Sequence, residues 1–516
     1  MGFSRFPVQG FCSFFDCKLA QTEYAKRKYL NRNIARNVNA LTIKQLGDAL
    51  IGSAAAFRCR RKLQPAAGEG GKVFPPTFAG AVYAVEQRRI PGRPDPVTCV
   101  VLDTVQSQAN RMELALQEAL DADRIKIPVV KVNFSEWSPT GDVDADKQSG
   151  RLIDAVGAIT SLQVPHRLAD AILRDSQTKE GTEFRKSDKG KTLNTVSQQN
   201  ATALYQLCPT ALVFGMWDST GPKGGLGAKF ERAVVSEVIG VGASFGVRTA
   251  SRIDPLITKT RDIVLYEDGH GGWTLNENEA RKDEKGKPVL LGKKGKVSQA
   301  NLGNVTPAFA RYTKGAEGLD PLKTQPLSVD YRIAIGKEQL EIRNRGSAGE
   351  QQQAREGQIA AGGVTVEYAE QLTTLSLIVL RRLRLPVRRR DAESDEEFKH
   401  RAKRAEDAGR TVLAALGLCA ATLAFEAGMG LRSRCLLWPD QPMTWELLAK
   451  PGEPAQTFSL TGDDAVRLLN ESVEAAKEAG LPWEETPIEL VPQKKLVDLV
   501  RLSQLEATKE ETEQTP

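Results

Sequence analysis

The stretch ALVFGMWDSTGPKGGLGAKFERAVVSEVIGVGASFG, residues 211–246, joins an apolar segment to a glycine-rich, lysine-bearing loop and then to a second apolar segment. Val213 and Phe214 predict a strand that leads into the loop. The glycines leave main-chain N–H groups uncovered by side chains, as a phosphate-binding loop requires. Three basic side chains accompany them: Lys223, Lys229 and Arg232. The stretch therefore predicts a polynucleotide as the ligand.

Two familiar nucleotide-binding motifs are close to this pattern without matching it. A P-loop requires Gly-Lys-Ser/Thr, whereas Lys229 follows Ala228 and precedes Phe230. A dinucleotide-binding fingerprint is nearly met by residues 240–245, but Phe245 occupies the place of its third glycine. The remaining alternative is a tight structural loop that binds nothing.

The composition indicates a globular protein whose basic character is local. The chain has 516 residues, 41% of them apolar, enough for two or three domains with a real core. Its formal net charge is only +6, so a nucleic-acid surface has to come from clustered basic residues. Two basic runs stand out, although a single run is more often a solvated face. They are the arginines at 381, 382, 384, 388, 389 and 390, and the lysines at 285, 287, 293, 294 and 296.

The cysteine and hydropathy patterns indicate the cellular location of the protein and the kinds of site that it lacks. Seven cysteines are scattered without a Cys-x-x-Cys pair, so neither a zinc site nor a disulfide framework is predicted. The best apolar run, residues 411–425, is Ala-rich and shorter than a membrane span, and the N-terminus has no signal-peptide core. We expect a cytoplasmic protein with no membrane partner, no metal and no other cofactor.

The order of the predicted elements favours an α+β fold over a doubly wound sheet. Apolar periodicity predicts helices at 43–51, 105–120, 165–173, 391–408, 411–425 and 460–479. β-rich runs predict strands at 98–102, 129–134 and 328–335. Low hydrophobicity predicts a mobile basic insertion near 177–200 and a second insertion near 276–303.

Candidate catalytic residues are few. His166, His270 and His400 share no metal-ligand spacing with Cys or Asp, and no nucleophile motif surrounds Ser219 or Ser236. We therefore assign no catalytic residue and no metal ligand.

Two segments offer polar or aromatic groups to a nucleic acid. Residues 103–111 place amides and a guanidinium at a strand-to-helix junction, where they can hold phosphates or sugars. Ordinary helix capping by Asp103 or Thr104 explains the same pattern equally well. Trp217 is predicted either to stack on a base or to be a core tryptophan.

Five ordered blocks of sequence carry a specific resemblance. They are LQPAAGEGGKVFPPTF (63–78), VLDTVQSQANRMELAL (101–116), ITSLQVPHRLADAILRDS (159–176), ALVFGMWDSTGPKGGLGAKFERAVVSEVIG (211–240) and LRSRCLLWP (431–439). Over roughly residues 41–440, the chain resembles the RAMP-superfamily backbone subunit of the type I-G (formerly I-U) CRISPR surveillance complex, Cascade.

The resemblance implies a modified RRM-like (ferredoxin-like) palm with large finger and thumb insertions. It implies a non-catalytic subunit that forms a helical filament of its own copies along CRISPR RNA and presents the guide to target DNA in antiviral defence. Further implied partners are the large subunit of Cascade and a fused end-capping and processing subunit. On these blocks we predict the guide-facing residues Lys72, Gln106, Gln108, Asn110, Arg111, Trp217, Ser219, Lys223, Lys229 and Arg232.

The resemblance also divides the chain and leaves two other functions open. We expect a basic N-terminal extension over 1–40, the backbone-subunit domain over 41–450, a helical extension over 451–500 and an acidic, disordered tail over 501–516. The first alternative is a metal-independent RAMP-type endoribonuclease that processes CRISPR RNA. The second is a nucleotide-cofactor enzyme that uses the glycine-rich loop.

Overall fold

The computed structural model describes residues 39–78, 82–219, 227–246, 264–292 and 362–514, with short strand segments between residues 249 and 360 and side chains up to Glu506. Several predicted features lie outside the described residues. They are most of the N-terminal extension, the strand near 328–335, Lys223, and the lysines at 293, 294 and 296.

The helices of the described residues alternate irregularly with the strands. They are α1 (Ile43–Ile51), α2 (Val105–Asp121), α3 (Val143–Ser149), α4 (Ala171–Arg174), α5 (Asp188–Thr192), α6 (Thr202–Leu207), α7 (Thr210–Phe214), α8 (Leu377–Arg381), α9 (Asp395–Glu426), α10 (Gly462–Glu478) and α11 (Lys494–Gln514). The predicted helices at 43–51, 105–120 and 460–479 are confirmed as α1, α2 and α10.

The strands range from two to ten residues. They are β1 (Asn39–Ala40), β2 (Ala56–Pro65), β3 (Val82–Arg88), β4 (Val97–Asp103), β5 (Val130–Asn133), β6 (Ala158–Thr160), β7 (Ser176–Gln177), β8 (Met216–Trp217), β9 (Lys229–Phe230), β10 (Val234–Val241), β11 (Ser244–Phe245), β12 (Thr249–Ala250), β13 (Tyr266–Glu267), β14 (Trp273–Thr274), β15 (Ala308–Phe309), β16 (Glu341–Ile342), β17 (Gln352–Gln353), β18 (Gln358–Ala360), β19 (Val364–Thr365), β20 (Tyr368–Ser376), β21 (Met429–Arg432), β22 (Cys435–Pro439), β23 (Thr444–Leu448), β24 (Gln456–Ser459) and β25 (Ile488–Pro492).

One large sheet organises these elements. Its order is β1-β24-β23-β2-β20-β10-β4-β3-β18, and β22 also pairs with β2 and carries β21. All of these pairs are antiparallel except β1 with β24. A mostly antiparallel sheet with helices packed against it confirms the mixed helix-and-sheet prediction.

The alternation of side chains along β2 gives the sheet two different faces. Phe57, Cys59, Arg61 and Leu63 are buried, whereas the three other basic residues between Phe57 and Leu63 are exposed. These basic residues are Arg58, Arg60 and Lys62. Because successive strand residues point to opposite faces, one face packs on the helices and the other carries a row of cations.

Helix α9 provides the apolar surface that covers the buried face. It begins with a capping box between Ser394 and Glu397 and packs against α10, α2 and α1. Among the described residues it is the one helix long and apolar enough to cross a membrane, but 89% of its apolar window is buried inside the fold. The two helices predicted at 391–408 and 411–425 are thus one continuous helix, with the apolar part in the core as predicted.

Three local predictions are wrong or only partly right, because tertiary burial overrides local preference. Val213 and Phe214 were expected to form a strand, but all of α7 is buried and helical, and the strand that follows is β8. The segment 177–200 was expected to be mobile, but it folds around three buried side chains. They are Phe184, Leu193 and Val196. The predicted helix at 165–173 is likewise reduced to a 3-10 turn, Arg167–Ala169, and α4.

The C-terminal part of the chain shares a second, smaller sheet with the middle part. Strand β25 pairs in parallel with β5 and antiparallel with β7, giving the order β6-β5-β25-β7. The indole N–H of Trp483 donates to the carbonyl oxygen of Lys126 at 2.9 Å. Helix α11 continues to Gln514, through most of the segment for which the sequence predicted disorder.

The five described cysteines are core residues. Cys59, Cys99, Cys208, Cys419 and Cys435 are all free and buried. Burial raises the pKa of the Cys59 and Cys419 thiols to about 12, so these two side chains are uncharged and unreactive near neutral pH.

A buried carboxylate joins α2 to the sheet. Asp103 is fully buried and accepts hydrogen bonds from Gln108 at 2.6 Å, Arg111 at 2.9 Å and Arg432 at 3.1 Å. The Gln108 amide oxygen in turn accepts from Ser236 at 3.0 Å. The end of β4, the start of α2 and the edge strand β21 are therefore held by one polar network.

We expect Asp103→Asn to lower the free energy of unfolding by about 2 kcal/mol, because it weakens charge-assisted hydrogen bonds to a buried acceptor. Chemical denaturation measures the change. Asp95→Asn, in an exposed turn, is the matched control and is expected to change stability by less than about 0.5 kcal/mol. Equal stability of the two variants would contradict the structural role of Asp103.

The arginine-rich run at 381–390 is largely engaged in internal contacts. Its partners include carbonyl oxygens and carboxylates: Gly52 for Arg381, Glu231 for Arg382, Glu406 for Arg384, and Asp395 for Arg389. Beside this run, Glu393 accepts hydrogen bonds from Arg401 at 2.7 and 2.8 Å and from the Arg390 N–H at 3.0 Å. These contacts, those of Arg401 first, lower the pKa of Glu393 to about 2.

A lowered pKa in the folded state means that Glu393 stabilises the fold above its ordinary pKa of 4.5 and loses this effect as the pH falls toward 2. We therefore expect wild type to be more stable than Glu393→Gln at pH 6, with a difference that shrinks between pH 4.5 and 3. Denaturant titrations at several pH values measure it. A difference that is independent of pH would contradict the assignment.

Candidate nucleic-acid interface

The glycine-rich loop is closed by a short hairpin. Helix α7 ends at Gly215, whose φ of +83° is readily available to glycine. The chain then enters β8, which pairs antiparallel with β9 so that Trp217 lies opposite Lys229. Residues 220–226, including Lys223, lie outside the described residues. The two strands hold both ends of the loop together, as a phosphate-binding loop requires.

Trp217 is a surface residue. It is 56% exposed, and the Lys229 Nζ lies 5.9 Å from the centroid of its ring. A core tryptophan would be buried, so the structure excludes that alternative, and stacking on a base stays a prediction. An exposed indole beside a cation can stack on a base while the lysine approaches a phosphate.

A buried ion pair anchors the base of the hairpin. Arg167, 6% exposed, donates to both carboxylate oxygens of Glu113 at 2.7 and 2.6 Å and to the carbonyl oxygen of Gly215 at 2.7 Å. Its guanidinium also lies 5.6 Å from the centroid of the Phe214 ring. Burial raises the pKa of the Glu113 carboxyl, and the charge and hydrogen bonds of Arg167 oppose that effect. The turn after α7 is therefore fixed by side chains from α2 and the 3-10 turn.

Arg232 lies close enough to the Arg167–Glu113 pair for both charges to act on it. Within the described part of the chain its guanidinium has no hydrogen-bond or ion-pair partner. Partial burial, and next the charge of Arg167, lower the pKa of Arg232, an effect that Glu113 opposes. An anionic ligand near this guanidinium would relieve the repulsion between the two arginines.

Next to Trp217 in the chain, Asp218 forms a second ion pair, in which one atom of each side chain has no hydrogen-bond partner. Asp218, 5% exposed, bonds to Arg185 through Oδ2 at 2.9 Å. The other oxygen, Asp218 Oδ1, and Arg185 Nη1 are buried without a hydrogen-bond partner. We call Trp217, Asp218, Arg185, Lys229 and Arg232 the Trp217 cluster.

A second group of basic and aromatic residues surrounds Phe74. The Lys72 Nζ lies 5.6 Å and the Arg434 guanidinium carbon 4.0 Å from the centroid of the Phe74 ring. The backbone holds this arrangement, because the Phe74 N–H donates to the carbonyl oxygen of Arg434 at 3.0 Å. We call Lys72, Phe74 and Arg434 the Phe74 cluster.

The two clusters adjoin opposite ends of β10. At its start, the Ala233 N–H donates to the carbonyl oxygen of Val213, just before the β8–β9 hairpin. At its other end, β10 leads into β11, and the Gly246 N–H donates to the carbonyl oxygen of Gly363, beside Lys72. Eight strand residues separate these ends by roughly 25 Å at the usual rise of a strand.

The predicted residues of α2 have mixed positions. Gln106 and Asn110 are exposed, but Gln108 is buried and Arg111 binds Asp103 and the carbonyl oxygen of Gly430. Thr104 caps α2 by accepting from the Ser107 N–H at 3.2 Å, as the capping alternative predicted. This junction is thus mainly structural. Gln108 and Arg111 are engaged in hydrogen bonds to Asp103, and only the side-chain amides of Gln106 and Asn110 lie at the surface.

The structure adds residues that the sequence reasoning missed. Arg185 was assigned to a mobile insertion, and Asp218, Phe74 and Arg434 were not selected, although Phe74, Asp218 and Arg434 lie within the blocks that carry the resemblance. No local signal pairs Arg185 with Asp218, because their contact depends on folding of the segment 177–200. Ser219, which was predicted, is exposed next to Asp218.

Metal ligands and a histidine-based centre were not predicted. Among the described residues, no group of three or more His, Cys, Asp or Glu side chains is placed to hold a metal ion. His166 precedes the 3-10 turn as its N-terminal flanking residue and makes no capping hydrogen bond through its side chain.

The region that forms these clusters is similar to a known protein family. Residues 57–245 match the family model of CRISPR-associated protein GSU0053. The match spans somewhat more than a third of the chain and contains the whole Trp217 cluster, together with Lys72 and Phe74. A search of curated proteins gives no match to the chain. The family match supports a CRISPR-associated role in antiviral defence.

We expect Trp217→Ala to weaken binding of single-stranded RNA by about ten-fold, because stacking on one aromatic ring is typically worth 1–3 kcal/mol. The indole is largely exposed, so stability is expected to stay within about 0.5 kcal/mol of wild type. Fluorescence anisotropy with a labelled RNA measures the affinity. Trp273→Ala, an exposed tryptophan of the β13–β14 hairpin, is the control, and an equal effect of both variants would remove the special role of Trp217.

Proposed function

We propose that this protein is the backbone subunit of a type I-G CRISPR surveillance complex, in which copies of the chain assemble along CRISPR RNA. The subunit holds the guide in the cytoplasm and presents its bases to target DNA. It does not cut nucleic acid itself. The large subunit and the fused end-capping and processing subunit complete the complex.

The observation that carries this proposal is the Trp217 cluster. It combines an exposed indole, the flanking Lys229 and the unpaired Arg232 at the ends of a glycine-rich loop, all inside residues 57–245. A purely structural loop has no need of an exposed tryptophan flanked by Lys229, with a second cation, Arg232, that forms no ion pair among the described residues. A polynucleotide supplies both a base to stack and a phosphate to neutralise.

The arrangement suits a ligand whose sequence varies. Lysine and arginine neutralise phosphates, and stacking accepts any base, so neither contact reads sequence. The Phe74 cluster, at the other end of β10, repeats the same combination of cations and an aromatic ring. Two such contacts near opposite ends of β10 can fix a length of RNA at two points without reading its sequence.

The sheet supports the proposed assignment of the palm. In this proposal the antiparallel strands β2, β20, β10 and β4 with α2 and α9 form the RRM-like palm. The insertions between its strands form the finger and thumb. A filament further requires two complementary surfaces at opposite ends of each copy, because a head-to-tail contact does not close.

Co-expression with a repeat-spacer RNA tests the proposal. We expect native mass analysis to find several copies of the protein on one CRISPR RNA of uniform length, and sequencing of the extracted RNA to find the spacer. Lys229→Glu is expected to reduce the RNA recovered, whereas Lys450→Glu, on an exposed loop after β23, is the charge-matched control. A protein that binds no guide even with its partner subunits present would contradict the proposal.

The same preparation tests the alternative of a metal-independent endoribonuclease. Under the proposal, repeat RNA stays intact when it is incubated with the pure protein in the presence of a chelator. Cleavage that disappears in His166→Ala would instead establish the nuclease.

A further inference from the structure

Arg434 has a backbone conformation that suits glycine better than arginine. It lies in the short turn between β21 and β22 with a φ of +59°, in the left-handed region. Glycine and asparagine are the usual residues in that region, and an arginine there is uncommon. Residues held in such conformations concentrate at binding sites, where the surrounding structure maintains them. The Arg434 side chain is therefore a candidate for a function that glycine cannot perform.

The guanidinium of Arg434 lies on the ring of Phe74. Its central carbon is 4.0 Å from the ring centroid, the separation of groups in van der Waals contact. The backbone joins the same two residues, because the Phe74 N–H donates to the carbonyl oxygen of Arg434 at 3.0 Å. The main chain at Gly363 also packs closely on the ring, since a Cβ there would lie 3.0 Å from two ring carbons. A base cannot stack on Phe74 where the guanidinium lies, and the ring instead holds Arg434 in place.

Lys72 brings a second cation to the same ring. Its Nζ lies 5.6 Å from the Phe74 centroid, so the two cationic centres are at most about 10 Å apart, one Debye length at about 0.1 M ionic strength. The Lys72 side chain lies against Gly246 and Gly363, where a Cβ on either glycine would clash with its Cε. Both cations are exposed, and neither has a carboxylate partner among the described residues. Two solvent-accessible positive charges are therefore held close together without a neutralising anion from this part of the chain.

The charges call for an anionic ligand, and the presence of two separate cations favours a chain of phosphates. Other exposed cations of the sheet are already neutralised, since Arg58 and Arg60 of β2 form ion pairs with glutamates. Lys72 and Arg434 thus differ from these surface cations. One carboxylate of a protein partner neutralises a single charge, whereas consecutive phosphates of a nucleic-acid strand neutralise both.

We infer that Lys72 and Arg434 bind consecutive backbone phosphates of the guide RNA, and that Phe74 is a positioning residue that holds Arg434 rather than a platform for a base. This inference rests on the proposed function and gives the two clusters different tasks. Trp217 stacks on a base, and the Phe74 cluster contacts phosphates alone. Every nucleotide carries a phosphate, so the contact tolerates any guide sequence.

An abasic oligonucleotide, which has the ribose-phosphate backbone of the RNA but no bases, separates the two kinds of contact. We expect Arg434→Gln to weaken binding of RNA and of the abasic strand by the same factor, about ten-fold, because both lose a charge-assisted hydrogen bond to a phosphate. Trp217→Ala is expected to weaken binding of RNA alone. Fluorescence anisotropy at one fixed salt concentration measures these affinities. An effect of Arg434→Gln that is confined to RNA would overturn the inference, because it would place Arg434 on a base.

The salt dependence of binding counts the phosphate contacts. The slope of log association constant against log salt concentration is expected to become shallower by about 0.7 in Arg434→Gln and again in Lys72→Gln, the value for one contact to a single strand. Arg404→Gln removes the same charge from an exposed arginine of α9 and is the matched control, with an unchanged slope. An unchanged slope in Arg434→Gln, together with fewer protein copies on each guide, would overturn the inference and indicate a protein partner.

A double-mutant cycle tests the positioning role of Phe74. We expect Phe74→Leu to weaken RNA binding in the wild-type background and to lose most of this effect in the Arg434→Gln background, because the ring acts through Arg434. Additive effects would contradict that role.

Arg434→Gly keeps the test independent of misfolding. Glycine adopts a φ of +59° without strain, so this variant is expected to retain the melting temperature of wild type while binding RNA as weakly as Arg434→Gln. Wild-type affinity in Arg434→Gly would overturn the inference and leave the proposed function standing. Failure of the wild-type protein to bind any RNA, even with its partner subunits present, would overturn both.

Discussion

The burial of α9 against the large antiparallel sheet is the constraint on which the rest of the structure depends. Residues 411–425 of this helix are almost entirely buried, and they cover the face on which Phe57 and Leu375 lie. Several elements are placed by this contact, since α10, α2 and α1 pack on α9, and α7 contacts both α9 and β10. Because the helices occupy one face, three of the four basic side chains of β2 lie on the other, and only Arg61 is buried, beside Phe425 of α9.

The position of the candidate interface is set where the chain leaves the core after α7. Helix α7 is fully buried and stops at Gly215, and the Arg167–Glu113 pair then fixes the turn through the Gly215 carbonyl oxygen. The chain emerges at Trp217, so the transition from core to solvent takes place within three residues. A rigid base beneath an exposed indole lowers the conformational entropy lost when a ligand stacks on it.

Much of the fold was readable from local patterns. The apolar periodicity of α1, α2 and α10 and the β-rich run of β4 were strong signals, and their bounds agree with the prediction to within a few residues. The site was readable in part: Trp217, Lys229 and Arg232 lie together around the loop, and Lys72 lies in a basic aromatic cluster. Gln108 was selected because it lies at a strand-to-helix junction. Such a junction has one side that faces the core and one that faces solvent, and the sequence does not show which side a residue occupies. Only the packing shows that Gln108 faces the core, where it accepts a hydrogen bond from Ser236.

By itself, the sequence determined the mixed helix-and-sheet class, the main helices and the loop whose glycines and cations suit a polynucleotide. These are local properties, because periodicity, glycine content and charge are read within a few residues. Only the tertiary structure decided that Val213 and Phe214 are helical, that Trp217 is exposed and that Asp218 meets Arg185. The reason is that burial and ion pairing depend on residues far apart in the chain: Arg185 reaches Asp218 only because Phe184 anchors its segment in the core.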